Sequence, residues 1–139
     1  MREILFRAKR KDNGEWVKGF YVKTFASLLE NIILPVEVDA DENQDTQRIE
    51  FDIYYEVIPE TVGQYTGLTD KNGLKIFEFD ICKYGDYIVV VDFDEQDSRF
   101  TFVVDKNVKA DFNYIQEKDL KVIGNIFDNP ELLKGVTEQ

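Results

Sequence analysis

The chain has 139 residues, 43% hydrophobic and 32% charged, and its 28 acids against 17 Lys and Arg leave a net charge of −11. That is globular composition, long enough to bury roughly two-thirds of the unfolded surface without a disulfide or metal staple. The absence of histidine excludes Ser-His-Asp and Cys-His catalysis and His-ligated zinc, and the single Cys82 excludes an intrachain disulfide or a CxxC centre.

The first segment, MREILFRAKRK, carries charge at positions 2, 3 and 7 and so lacks the apolar run of a signal peptide. Residues 3–11 and 15–23 predict a β-hairpin. A two-residue Asn13-Gly14 turn would set Lys9 against Lys18 and Asp12 against Glu15, and like charges facing each other are destabilising. A three-residue loop, Asp12-Asn13-Gly14 with Gly14 left-handed, pairs Lys11 with Glu15 instead and stacks Ile4 on Val22 and Phe6 on Phe20. That register is the expected one. Residues 24–34 predict a short helix that stops before Pro35, because residues preceding proline avoid helical geometry. The acidic stretch DADENQDTQ that follows reads as a surface loop. Ile49, Phe51, Ile53, Tyr55 and Val57 then alternate with Glu50, Asp52, Tyr54, Glu56 and Ile58. This period of two predicts a half-buried strand with an acidic outer face, ended by Pro59.

The stretch ETVGQYTGLTDKNGLKIF is rich in turn residues and predicts an ordered loop with a small hairpin. FDICKY, DYIVVVDFD and RFTFVVD predict three strands joined at Gly85 and Asp94–Ser98, the middle one apolar on both faces as a central strand is. Residues 107–118 read as a connection with one helical turn. Leu120–Phe127 is a late strand, and Asn129-Pro130-Glu131 opens a short C-terminal helix with Asn129 as its N-cap. The expected fold class is mainly β (β-rich α+β), a small barrel or rolled antiparallel sheet with an N-terminal β-hairpin, in a single domain over 1–139.

Four stretches carry candidate chemistry. Asp39, Asp41, Asn43, Asp45, Gln47 and Glu50 match the ligand positions of an EF-hand loop, but Gln44 stands where the sharp turn needs glycine. Pro35 before the loop and a strand pattern after it favour a solvated acidic loop over a metal site. Asp92, Asp94, Glu95 and Asp97 cluster at a strand end, where carboxylates can hold magnesium or act as acid and base. With 28 acids in the chain, a charged hairpin tip is the preferred reading. Cys82 lies in an apolar strand and reads as a small buried hydrophobe rather than a nucleophile. RAKRKDNGEW interleaves cations with an aromatic, a pattern better explained by edge protection than by nucleic-acid contact in so acidic a chain. No GxGxxG, Walker-type or GxSxG motif occurs, so no cofactor is expected.

Charge is unevenly spread. Residues 1–23 carry seven cations against three acids, a net +4, whereas residues 37–60 carry nine acids against Arg48, a net −8. A bipolar chain of this kind suits pairing with its own kind, and a net negative field repels nucleic acid and anionic membranes.

LFRAKRKDNGEWVKGFYV (5–22), IPETVGQYTGLTDKNGLKIFEFDICKY (58–84) and VIGNIFDNPELL (122–133) together resemble the YopX family of small phage and prophage proteins. Two positions depart from the family pattern: Ala8 and Phe79 each stand where glycine is usual. The resemblance implies a mostly β protein from phages and mobile elements of mainly Gram-positive bacteria, and it brings no catalytic residues. Its motif residues, among them Arg7, Trp16, Thr61, Gly63, Tyr65, Thr66, Gly67, Gly124, Asn125 and Pro130, read as turns, caps and core anchors, with Gly63 and Gly67 free to take positive φ.

The resulting expectation is a non-enzymatic accessory protein in the bacterial cytoplasm, with no membrane and no direct nucleic-acid contact. Its partner is itself, in a homo-oligomer, or a host or phage protein. The candidate contact residues are Arg7, Arg10 and Trp16 on the basic side and Glu50, Asp52 and Glu56 on the acidic side. One alternative is an acidic nucleic-acid mimic that presents Glu50, Asp52 and Glu56 to the DNA site of a host or defence protein. The other is a metal-dependent hydrolase built on Asp92, Asp94 and Asp97.

Overall fold

The computed structural model describes residues 3–23, 31–38, 47–49, 54–105, 108–111 and 116–133. The chain divides into two compact units, 1–64 and 65–139. Both are built from antiparallel strands, and the fold is mainly β as expected.

In the first unit, β1 (Phe6–Lys9) and β2 (Trp16–Lys23) form the hairpin, and β3 (Asn31–Val38) pairs with the far side of β2. β4 (Gln47–Ile49) and β5 (Tyr55–Glu56) both pair with β3. Gly63 and Gln64, the first residues of β6 (Gly63–Thr69), pair with Arg7 and Phe6. Ala8, Ile33 and Val57 are buried together, flanked by Phe6, Val17 and Val62. The methyl of Ala8, one of the two departures from the family pattern, is therefore packed core.

The hairpin exists, but its register is one residue away from the expected one. Phe6 faces Gly19, Arg7 faces Lys18 and Lys9 faces Trp16. The loop is four residues long, closed by Arg10 N–H to Glu15 O (2.9 Å) and Gly14 N–H to Arg10 O (3.0 Å), with Gly14 left-handed at φ 72°. A slip of one residue turns every side chain of one strand to the opposite face relative to its partner. Phe6 accordingly packs against Tyr21 (5.7 Å between ring centroids) instead of Phe20, and Ile4 lies exposed rather than stacked on Val22. Two effects favour the observed register. Lys11 leaves the ladder and its N–H donates to Glu56 O at 2.9 Å, and Arg7, though opposite Lys18, lies over the Trp16 ring at 4.8 Å.

The helix expected over 24–34 is corrected where it can be seen: Asn31–Leu34 belong to β3, and 24–30 lie outside the described residues. Pro35, read as a helix stop, sits inside the strand opposite Gly19. The β-branched Ile32 and Ile33 suit a strand, and a ladder from Lys23–Asn31 to Gly19–Pro35 outweighs the weak helical preference of so short a segment. Of the strand expected from Ile49 to Ile58, the described residues show only Ile49, at the end of β4, and Tyr55–Glu56 as β5, with 50–53 outside them. Gln47, expected in the acidic loop, already belongs to β4. Tyr54 and Glu56 are exposed and Val57 is buried, as the alternation expects, whereas Tyr55 and Ile58 are both half-buried.

In the second unit, the rest of β6 pairs with β7 (Lys75–Phe77). β8 (Asp80–Tyr84), β9 (Tyr87–Asp94), β10 (Arg99–Asp105), β11 (Val108–Asp111) and β12 (Leu120–Asn125) form a five-stranded sheet in the order β11-β10-β9-β8-β12. β9 is the central strand, as its two apolar faces require. Ile76, Cys82, Val89, Val91, Phe102 and Leu120 form the core. Phe93 and Phe100 pair edge to face across the ladder, 5.2 Å apart, whereas Tyr87 at the turn is exposed. Cys82 is fully buried. Of the two family glycines expected to be free in φ, Gly67 is left-handed at 91°, but Gly63 is held in the ladder opposite Arg7.

Two expectations near the C-terminus are corrected. Among the described residues, the connection over 107–118 contains a strand, β11, as well as the 3-10 turn at Glu117–Asp119. The short C-terminal helix is, among the described residues, a 3-10 turn, Pro130–Leu133. The reason lies in Asn129. Its side-chain Oδ1 turns back to accept Asn125 N–H at 3.2 Å instead of capping forward, while its carbonyl accepts Leu132 N–H, a three-residue spacing, at 3.1 Å.

Phe79, the second departure from the family pattern, is left-handed at φ 76°. That conformation costs a side-chain-bearing residue roughly 1–2 kcal/mol, and glycine adopts it freely. Edge contact with Phe127, with centroids 5.2 Å apart, offsets the strain. Phe79→Ala keeps the strain and loses the ring, so it is expected to be less stable than Phe79→Gly by about 1 kcal/mol, read from urea midpoints. Equal midpoints for the two variants would contradict this account.

Candidate functional site

The tip of the hairpin and the Tyr54–Val57 segment build a cleft of about 470 Å³ lined by Arg10, Lys11, Asp12, Tyr54, Tyr55 and Glu56. Backbone bonds fix its two walls. Lys11 N–H reaches Glu56 O, Ile58 N–H reaches Lys9 O at 2.9 Å, and Arg10 forms a bridge with Val57. Below it, the Thr61 hydroxyl accepts Lys9 N–H (2.9 Å) and donates to Ile58 O (2.6 Å), tying the family's Pro-Glu-Thr turn to β1.

Arg10 is the central side chain. Its guanidinium lies over the Tyr55 ring at 4.2 Å and grips Asp12 through two bonds, Nε to Oδ1 at 2.9 Å and Nη2 to Oδ2 at 2.6 Å. Those bonds hold the Asp12 carboxyl below its ordinary range. Arginine so held keeps a planar charged face pre-organised, and its stem and the Tyr55 ring offer apolar contact beside it. Tyr54 is 45% exposed beside this pair. The cleft thus offers aromatic surface with both signs of charge, and contains no nucleophile activated by a neighbouring base.

The structure sorts the sequence candidates into separate places. Arg7 and Trp16 share one face of the hairpin, where Lys9 Nζ also lies 5.5 Å from the indole. Arg10 is on the opposite face and meets Glu56 in the cleft. Glu50 and Asp52 lie outside the described residues, as do Asp39, Asp41, Asn43 and Asp45 of the acidic loop. The mimic reading therefore has Glu56 alone among the described residues. At the β9–β10 turn, Asp94 accepts Gln96 N–H (3.0 Å) and Asp97 N–H (3.4 Å), and Asp97 pairs with Arg99 at 3.4 Å. Those carboxylates serve the turn. Among the described residues, no three Asp, Glu or Cys side chains are grouped to hold a metal ion. No helix among them is long and apolar enough to cross a membrane. Tyr54, Tyr55, Lys11 and Asp12 are strand and turn residues in the sequence and not among its candidate contact residues; the adjacent tyrosines before Pro59 are the signal that marks them.

A family model described as YopX protein matches residues 5–134. A search of curated proteins finds no match. Among solved structures, the chain is similar to protein EF1440 from Enterococcus faecalis, at 25% identity and a TM-score of 0.58, over 96% of this chain and 100% of that one.

Proposed function

The chain belongs to the YopX family, and from that premise we propose that it is a phage or prophage accessory protein that works by protein contact, with a second copy of itself as first partner. The observation that carries this reading is the hairpin cleft, with Arg10 seated on Tyr55, Tyr54 exposed beside it, and Lys11, Asp12 and Glu56 at its rim. Arginine and tyrosine dominate the energetic centres of protein interfaces, because each supplies a large rigid contact area with a polar end. A rim with both signs of charge lets the same patch meet itself across a two-fold axis. The net +4 of residues 1–23 and the net −8 of residues 37–60 supply the longer-range attraction. The single-domain and cytoplasmic expectations belong to the same proposal.

Sedimentation over a concentration series tests it. The dimer is expected to weaken as salt rises, because rim charges more than about 8–10 Å apart are screened at physiological ionic strength. Tyr54→Ala is expected to raise the dimer dissociation constant about tenfold, since truncating a central aromatic typically costs more than 1 kcal/mol. A monomer at all concentrations in low salt would overturn self-association. A dimer indifferent to Tyr54→Ala and to Arg10→Ala would overturn this cleft as its seat.

A further inference from the structure

A second cleft, in the 65–139 unit, has a different chemistry. Its volume is about 510 Å³ and its lining is Lys71, Lys83, Tyr84, Gly85, Lys118, Asp119 and Lys121. Four of the chain's 17 Lys and Arg residues meet here around a single acid, in a protein of net charge −11. All four lysines are exposed, and none forms a salt bridge with a described carboxylate.

The backbone holds this cluster together against its own repulsion. Lys83 on β8 and Lys121 on β12 are direct cross-strand partners, an arrangement of like charges that destabilises a ladder. Lys118 sits in the 3-10 turn that enters β12. Lys71 is clamped to the same strand, because its N–H donates to Leu120 O at 2.9 Å while the adjacent Asp70 accepts Val122 N–H at 3.0 Å. Beside them Gly85, left-handed at φ 59°, has open space where a side chain would stand, so a ligand can approach its backbone closely.

We propose that this cleft binds a compact polyphosphate, the shared chemistry of inorganic tripolyphosphate and a nucleoside triphosphate. Lysine ammoniums are strongly hydrated point charges with several donors, suited to a ligand that carries multiple negative oxygens in a small volume. A ligand of that kind converts the Lys83–Lys121 repulsion into shared attraction. A long nucleic acid backbone would extend beyond the cationic lining into a net negative field, whereas a triphosphate is contained by it. The cleft volume lies within the range of small-molecule sites, and Tyr84 is an aromatic member of its lining.

The test is calorimetric titration of the full chain, at low salt and without metal, with inorganic tripolyphosphate and separately with ATP. Binding of both is expected. Tighter binding of ATP assigns the site to nucleotides, and equal or tighter binding of tripolyphosphate assigns it to the free polyanion. The double variant Lys83→Gln with Lys121→Gln is expected to bind at least tenfold more weakly, while Lys83→Arg with Lys121→Arg retains binding. Lys18→Gln, on the exposed face of β2, removes one charge elsewhere and is expected to leave binding unchanged. Thermal melts of each variant confirm that the fold is intact. No heat at millimolar ligand, or equal weakening by Lys18→Gln, would overturn the proposal.

Discussion

Replacing Asp70 with alanine is expected to destabilise the protein by about 3–5 kcal/mol. Asp70 is 5% exposed, and its two oxygens satisfy three backbone donors. Oδ1 accepts Asn72 N–H (2.8 Å) and Leu74 N–H (2.9 Å), closing the β6–β7 turn, and Oδ2 accepts Val122 N–H (3.0 Å) in β12. Removal leaves those donors short of partners, each worth about 1–3 kcal/mol when buried. Urea denaturation of Asp70→Ala measures the loss. A change below about 1 kcal/mol would mean that water takes over all three donors.

The same carboxylate makes an acid-stability prediction. Burial pushes the Asp70 carboxyl up, but the Val122, Leu74 and Asn72 N–H groups, with the charge of Lys71, outweigh it and hold the carboxyl below its ordinary value. A depressed folded value adds stability that is present above the unfolded value of about 3.9 and is lost as pH falls through the folded value. Wild-type stability should therefore drop below about pH 4, and Asp70→Asn should flatten that drop while starting from lower stability at neutral pH. Parallel acid profiles for the two proteins would assign the acid loss to other carboxylates.

Gly124→Ala carries the second large effect, a destabilisation of about 2–3 kcal/mol. The β12–β8 register shifts between Val122 and Gly124, and the Asn129 side chain crosses back over that irregularity. A methyl at position 124 would stand 2.5 Å from Asn129 Oδ1, 2.7 Å from its Cγ and 2.9 Å from its Cβ. Because the Cβ is involved, rotating the carboxamide away does not relieve the clash. The displaced side chain also abandons Asn125 N–H, in a turn where Asn125 Oδ1 accepts Phe127 N–H (3.0 Å) and Asp128 N–H (2.9 Å). In a double-mutant cycle, Asn129→Gly should recover about 1 kcal/mol or more of the Gly124→Ala loss. Strict additivity of the two would place the strain elsewhere in the strand.

These positions show how the family motif reads physically. Gly124 makes room for Asn129, Asn125 organises the following turn, and Thr61 ties its turn to β1. Thr66 donates to Ile76 O at 2.8 Å and accepts Leu68 N–H at 3.1 Å. They are architectural residues. Apart from Arg10 and Glu56, the residues in the two clefts are not among the candidate contact residues of the sequence.

By itself the sequence determined the mainly β class, the N-terminal hairpin, the three strands from Asp80 to Asp105 and the centrality of β9. Those features follow from period-two alternation and from turn residues, signals carried within a few positions of each element. The tertiary structure decided what distant partners decide. The hairpin register moved because the Tyr54–Val57 segment takes Lys11 N–H out of the ladder. Asn31–Leu34 became strand because β2 offered a ladder. Asn129 gave up its capping role because Asn125 N–H, four residues back, needed its oxygen. Lys71, Lys83, Lys118 and Lys121 are scattered along the chain and meet only because β8 pairs with β12 and Leu120 bonds to Lys71. Strand pairing brings together residues that no local pattern links, so both clefts were beyond a reading of neighbours along the chain.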